Sequence, residues 1–431
     1  MTKKNLPEVT VTLDKIVGCG QALGTLPDGK KLFVWGGLPA ETVTVQLTKK
    51  KSHYCEGVVT EVLSASPKRV APKDADSYLS TSPWQIMTFS EEQHLKAALI
   101  DEAFELHGIS LPEETPVYTN NQEYGYRNKV EYSFWYDTDT SKLSLAFFRR
   151  GTHGKIPVLG TSLARPVINQ KATQLVDILN QLNSEGRALK TLLIRCSASD
   201  AVSWQLYVKT EDFPASELLA LLPDGENGEV IYSNPKSPAS VITRRLAGKI
   251  TPLSDTILDT PFSYATEGFF QVNLPVYEQA LRDMREWVTP GTPVVDLYSG
   301  VGTIGLTIGG NNVTMVEINE AAVQEMQRNI ASRGLSDTVT AVLAPSEAAL
   351  DYIDGAKTII VDPPRAGLHE AVLQRLLSEK PKRIIYLSCN PVTQARDVKL
   401  LEGVYAIRFH KGYNFFPRTP HIEHLVVLDL M

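Results

Sequence analysis

Closely spaced cysteines are missing from this sequence. Cys19, Cys55, Cys196 and Cys389 lie far apart and form no CxxC pair. That excludes the disulfide framework of a small secreted domain and a cysteine-built zinc site. Long apolar runs are missing too, since none reaches the roughly 18 residues of a membrane span. The first residues, Met-Thr-Lys-Lys-Asn-Leu-Pro-Glu, lack the apolar core of a signal peptide. No membrane partner is expected, and a cytoplasmic monomer is. A surplus of positive charge is absent as well: the net charge of −6 argues against nucleic-acid binding over the whole surface, though not against local patches. No internal repeat is visible. The 431 residues, at about 100–200 per domain, imply two to four domains.

Glycine-broken short strands fill residues 1–66. Glu8–Leu13, Lys31–Trp35, Thr42–Leu47 and Gly57–Leu63 read as strands, with a turn at Pro27-Asp28-Gly29-Lys30. About five strands in this length suggest an OB-like β-barrel. Its surface is locally basic (Lys30, Lys31, Lys49, Lys50, Lys51, Lys68, Arg69), which suits either a solvated turn or phosphate contacts. Residues 67–260 read as a linker helix followed by a mixed α+β domain. Ser90-Glu91-Glu92-Gln93 has capping-box form, with Leu95, Leu99, Ala103 and Leu106 following on one helical face. Lys129–Tyr136 and Lys142–Arg149 read as a hairpin. Tyr126-Arg127 and Phe147-Phe148-Arg149-Arg150 set aromatics beside cations, an arrangement that stacks bases and holds phosphates but is also common on plain strands. From 261 to 431, strands and helices alternate, which predicts a parallel, doubly wound, Rossmann-like sheet.

Chemistry-bearing motifs concentrate in that last region. Arg383–Ser388 is a nearly continuous apolar run, the pattern of a strand buried on both faces, and it ends at Cys389. Asn390-Pro391 then supplies a preferred N-cap and first helical residue. A cysteine at that place sits where open α/β sheets carry their chemistry, with a helix dipole to favour its thiolate. Taken alone, the same stretch favours the reading of Cys389 as a small buried core residue, the commonest fate of a free cysteine. Asp296-Leu297-Tyr298-Ser299-Gly300-Val301-Gly302-Thr303-Ile304-Gly305 contains GxGxxG after a strand, and Glu317 ends the next strand. Asp296 directly before the glycines would repel a pyrophosphate and suit a cationic, amine-bearing adenosine ligand such as S-adenosylmethionine. Asp362-Pro363-Pro364-Arg365 ends another strand in a stiff turn that presents the acid. Glu423 opens the last strand and suits a general base beside a nucleophilic cysteine. His421 and His424 have no matching ligand partners, so no metal site is expected.

DLYSGVGTIGL, VDPPRAG, YLSCNPVTQARD, FFPRTPHIEHL and TEGFFQVN (Thr266–Asn273) together resemble the S-adenosylmethionine-dependent RNA 5-methyluridine methyltransferases, over nearly the whole chain. The resemblance implies an N-terminal TRAM barrel, a central RNA-contacting domain and a C-terminal class I methyltransferase domain. It also implies roles for particular residues. Cys389 adds to C6 of uracil, Glu423 removes the C5 proton, and Asp362 contacts the uracil edge or the cofactor amine. Gln271, Tyr298 and Glu317, with Asp296, Gly300 and Asp362, hold the cofactor. The substrate it implies is RNA, 23S rRNA first and tRNA second. Many members carry an iron–sulfur cluster on four cysteines. Here Ser77–Gln85 and Gly160–Ser162 contain none, so no cluster is expected. Ser299 stands where cysteine is common, and Asn414 where Asp is common. A cytosine-C5 methyltransferase is the alternative enzyme, although Arg365 occupies the place where such enzymes carry cysteine. An RNA-binding or RNA-folding protein without turnover is the alternative from another class.

Overall fold

The computed structural model describes residues 6–152 and 154–431. Five strands, β1 (Glu8–Val17), β2 (Gln21–Thr25), β3 (Lys31–Trp35), β4 (Thr42–Lys50) and β5 (Tyr54–Ser64), close into a barrel in the order β1-β2-β3-β5-β4. Period-2 alternation sends Leu32, Val34, Val43 and Val45 inward, where they pack with Leu13 and Cys55. A one-turn helix α1 (Tyr78–Thr81) precedes α2 (Phe89–Glu105). The N-cap of α2 is Thr88, whose side chain accepts from the Glu91 N–H at 3.4 Å. The box expected at Ser90–Gln93 therefore starts two residues early. Thr88 has the extended backbone a cap requires, and Thr88-x-x-Glu91 offers the same spacing.

After the short strand β6 (Val117–Tyr118) comes a seven-stranded sheet. It is built from β7 (Lys129–Asp137), β8 (Lys142–Phe148), β9 (Lys155–Val158), β10 (Leu189–Cys196), β11 (Val202–Val208), β12 (Gly228–Tyr232) and β13 (Arg244–Lys249), in the order β13-β12-β11-β10-β7-β8-β9. Helix α3 (Pro166–Gln181) covers one face, burying Ile168, Ala172, Leu175 and Leu179 against Tyr132, Leu192 and Ile194. The short α4 (Ala215–Ala220) and the hairpin of β14 (Leu253–Ile257) and β15 (Thr260–Tyr264) follow.

The last sheet contains β16 (Val294–Leu297), β17 (Val313–Glu317), β18 (Val339–Leu343), β19 (Thr358–Val361), β20 (Arg383–Ser388), β21 (Tyr405–Tyr413) and β22 (Glu423–Leu430). Its order is β18-β17-β16-β19-β20-β22-β21-β6. Strands β16 to β20 run parallel, and β22 is antiparallel to both its neighbours. Helices α5 (Leu274–Arg285), α6 (Thr303–Ile308), α7 (Glu320–Ser332), α8 (Glu370–Glu379) and α9 (Pro391–Leu401) accompany it. Two apolar clusters, one around Leu281, Met315 and Ile385 and one around Ile359, Ile384 and Val398, use side chains from its strands. Strand order reverses between β16 and β19. Their carboxyl ends therefore frame the crevice where doubly wound sheets bind ligands.

The sheets do not follow the boundaries expected at 67 and 260. β6 pairs with β21. Ile100 and Phe104 of α2 pack in the core of the last sheet, while Leu95 and Leu99 pack on the barrel. Leu253, Ile257, Phe262 and Tyr264 belong to the same core as α5. Each of these segments buries apolar side chains in the cores on either face of the last sheet.

Candidate active site

Three turns at the carboxyl end of the last sheet are bonded to one another. Asn390 caps α9 by accepting from the Val392 N–H at 3.3 Å, while its amide donates to Arg365 O at 2.8 Å. Thr393 Oγ1 donates to the same carbonyl at 3.1 Å, and Arg396 to Ala366 O at 2.9 Å. Asp397 Oδ2 accepts from the Leu368 N–H and the Tyr386 hydroxyl, both at 2.8 Å. Gly367 has φ +81°, and a Cβ there would lie 2.6 Å from Asp397 Oδ2 and from the Arg396 guanidinium. The Asp362 turn and the start of α9 are thus tied together. Across the sheet the last β20–β22 pair is Ser388 with His424, so the next position sets Cys389 opposite Glu423. Gln394 wedges this end of the ladder, donating to Tyr386 O and His424 O at 3.0 Å and accepting from His424 Nδ1 at 2.7 Å.

These turns open into a cavity of about 1240 Å³. Cys389, Glu423, Asp362, Gln271, Tyr298, Glu317 and Gly300 all line it. Asp296 does not. Its side chain is buried beneath the glycine loop, where Oδ2 accepts from the Gly305 N–H at 2.9 Å and Oδ1 has no hydrogen-bond partner. Burial pushes this carboxyl up to about 8, leaving it protonated at neutral pH. Asp296 holds the loop to α6; it does not present a charge to a ligand. His424 is also turned inward, against Phe104 and His410, whereas His421 lines the cavity. Among the described residues no cluster of metal-ligating side chains occurs.

The cofactor side is shaped by backbone conformation. Tyr298, Gly300 and Gly302 have φ of +63°, +57° and +86°. Ser299 ties the loop to β17 through its N–H and hydroxyl, both to Val316 O at 3.0 Å. The Gly300 N–H donates to Glu317 Oε2 at 2.9 Å and the Asn319 N–H to Oε1 at 2.8 Å, orienting the carboxylate. A Cβ on Gly300 would meet nothing within 4 Å, so the loop leaves open space there. Gln271 belongs to a segment fastened to the central sheet: Asn128 donates to Gln271 O, Lys129 to Glu267 O, and Arg195 to Ala265 O and Gly268 O.

Electrostatics in the free protein oppose ionisation. Burial raises the Cys389 thiol to about 11, with help from Glu423 and Asp362 and against Arg365. The expected stabilisation of the thiolate by α9 is outweighed, since Pro391 has no N–H and Asn390 occupies that of Val392. Burial lifts Asp362 to about 7, and burial plus Asp362 lift Glu423 well above the carboxylate range. One consequence is measurable. Iodoacetamide should label the Cys389 peptide slowly at pH 7.5 and faster as pH approaches 11, and Glu423→Gln should speed labelling at pH 9 by removing a nearby negative charge. Labelling that is already complete and pH-independent near neutrality would contradict this picture.

Sequence reasoning flagged Arg127, Phe147, Arg365 and His421, and all four line the cavity. It carried Phe269 and Thr419 only inside quoted motifs, without a role, and missed the Pro345-Ser346-Glu347 turn. That turn follows the end of β18, and its place beyond a parallel strand was the available signal. The two cysteine-free stretches meet directly. Asp74 accepts from the Ser162 N–H, the Thr161 hydroxyl and the Gln85 amide, each at 3.1 Å, and Gln85 also donates to Ser82 Oγ at 2.6 Å. These side chains are committed to one another.

Residues 256–431 match the model of the tRNA (Uracil-5-)-methyltransferase family. Along nearly its full length the chain is similar to proteins described as uncharacterized RNA methyltransferases. One, from Lactiplantibacillus plantarum, is 29% identical over 432 residues, 93% of each chain. Another, from Thermosynechococcus vestitus, is 27% identical over 97% of each. The fold is shared with the Pyrococcus abyssi tRNA (uracil-54, C5)-methyltransferase, solved in complex with S-adenosyl-L-homocysteine. The TM-score is 0.78 at 23% identity, over 97% of this chain and 100% of that one. The matched residues 256–431 contain the strand ends, the glycine loop and the Cys389, Asp362 and Glu423 turns, while the cavity is completed by Glu131 and Phe147 of the central sheet and by Arg127 just before it.

Proposed function

We propose that this protein transfers a methyl group from S-adenosylmethionine to C5 of a uridine in rRNA or tRNA, through a covalent bond between Cys389 and C6. The observation that carries this reading is the convergence of Cys389, Asp362 and Glu423 on one cavity with the Tyr298–Gly300 loop and Glu317. The cavity residues fit the cofactor. Glu317 is oriented to accept from ribose hydroxyls, Gln271 and Tyr298 flank it, and a carboxyl such as Asp362, poised near neutrality, becomes charged beside a cationic amine. When bound, the cofactor supplies an electrophilic methyl group.

Uracil C5 is a weak nucleophile until C6 is attacked. Cys389 gives its proton to solvent as its sulfur adds to C6, which moves the ring electrons into an enolate across C4 and C5, and C5 then takes the methyl group. Glu423, across the ladder from the thiol, removes the remaining C5 proton. The C5–C6 double bond re-forms and the thiolate leaves. A carboxylate with a raised proton affinity is the stronger base for that step. The target base reaches the thiol only when unstacked, and Arg127, Phe147 and Phe269 at the wall suit a flipped nucleotide and its neighbours. The motifs and the barrel carry over from the resemblance a cytoplasmic RNA enzyme with a TRAM-type domain. Incubation of the protein with labelled S-adenosylmethionine and unmodified rRNA or tRNA, followed by nucleoside analysis, should yield 5-methyluridine. Label recovered only in 5-methylcytidine, or none in RNA, would reject this reading.

A further inference from the structure

The loop between β21 and β22, residues 414–422, places Phe416, Thr419 and His421 on the cavity wall and leads into Glu423. It is held by a helix more than three hundred positions earlier in sequence. Glu92 and Lys96 of α2 are fully buried, with side-chain exposures of 0% and 0%, and pair at 3.1 Å. Lys96 Nζ donates to Asn414 Oδ1 at 2.5 Å and to Phe416 O at 3.1 Å. Glu92 Oε1 accepts from Asn414 Nδ2 at 2.8 Å, and both its oxygens accept from the Arg418 N–H at 3.0 Å. Arg418 itself has a left-handed backbone, φ +65°, which a non-glycine residue keeps only when its surroundings fix it. Its guanidinium donates to Met87 O at 2.6 Å and pairs with Glu123. The barrel closes over the far side of the loop: Trp84 Nε1 donates to Gly20 O at 3.0 Å, and a Cβ on Gly20 would lie 2.1 Å from Pro420 Cβ.

A buried ion pair adds little net stability over apolar residues of the same volume. This one spends its hydrogen bonds on the loop's backbone and on Asn414. Burial draws Lys96 down to about 8, against the attraction of Glu92. Arg418 lies at 3.9 Å on the other side of Glu92 and also pairs with Glu123, so the cluster has two carboxylates for two cations, with the neutral Asn414 amide bridging Glu92 and Lys96.

We infer that Glu92 and Asn414 are a matched pair of positioning residues that fix the 414–422 loop so that Glu423 faces Cys389. The inference rests on the functional reading given above. Its requirement is one carboxylate and one amide across a contact of 2.8 Å, whichever residue carries which. Asn414→Asp sets two carboxylates face to face. Glu92→Gln leaves buried Lys96 without its counter-ion and turns one amide against another. The exchange Glu92→Gln with Asn414→Asp restores one of each beside Lys96.

The test is methyl transfer to RNA by the full chain, with thermal unfolding measured alongside, for wild type, both single variants and the double variant. Each single variant should lower kcat about tenfold or more by misplacing Glu423, with KM for RNA within about threefold. Each should also slow release of RNA from the Cys389 adduct. The double variant should recover to within about threefold of wild type, a coupling that independent sites do not show. Single variants that melt earlier but turn over at the wild-type rate while folded would reduce the pair to a structural role and overturn the inference. A double variant as impaired as the product of the singles would do the same. A wild type that transfers no methyl group would instead reject the functional reading, and the melting temperatures of the four proteins would still show whether the exchange restores the contact.

Discussion

Cys389→Ala should lower methyl transfer by at least about 10⁴-fold, because without the sulfur nothing activates C5. The thiol is half-buried, and loss of its sulfur is a small packing change. The variant should therefore fold normally and bind RNA with nearly unchanged affinity. That separates it from a destabilised protein, whose binding and turnover would fall together. Transfer by Cys389→Ala at the wild-type rate would remove the nucleophile from the mechanism. Cys196, also at the end of a strand, is the natural control. It is fully buried and its thiol is pushed up to about 12, so it should be inert.

Glu423→Gln should have a different signature. Attack on C6 and methyl transfer precede the step Glu423 performs, so the first half of the reaction should survive while turnover falls about 10²- to 10⁴-fold. The methylated RNA should then accumulate on the protein as a species that survives denaturation. Glutamine keeps the shape of the side chain, and the neighbouring pair of Cys389 with Glu423 lies just beyond the last rung of the β20–β22 ladder, so geometry is retained. Prompt release of 5-methyluridine RNA by this variant would assign the proton to another base, and Asp362 is the adjacent candidate.

Much of this site was legible because its residues sit at the ends of strands that have one-dimensional signatures. Ile384, Ile385, Tyr386 and Leu387 are buried on both faces and read as an unbroken apolar run, which located Cys389. The glycine loop and the Asp-Pro-Pro turn are local motifs whose backbone geometry is encoded in a few adjacent residues. Asp296 was misplaced for the same reason. The motif gives its position next to the loop but not its rotamer, and the Gly305 N–H, nine residues on, draws it inward. The thiol's proton affinity was misjudged because helix position is local, whereas burial beside Glu423 and Asp362 comes from three separate strands. Long-range pairing also hid the role of α2. Its amphipathic spacing announced a helix, but nothing local in the sequence sets Glu92 and Lys96 against Asn414 and Arg418. The same limitation applies to β6, whose two residues carry no strand signal of their own and pair with β21 almost three hundred positions later.

The covalent step is tested most directly with RNA carrying 5-fluorouridine at the target position. Fluorine cannot leave C5 as a cation, so Glu423 finds no proton to remove and the adduct cannot break down. After incubation with S-adenosylmethionine, intact mass should show protein, RNA and one methyl group joined, with the bond mapped to Cys389 and absent from Cys389→Ala. Efficient methylation of ordinary RNA with no such complex on the fluorinated RNA, or a complex bonded through another residue, would contradict the chemistry assigned to this site.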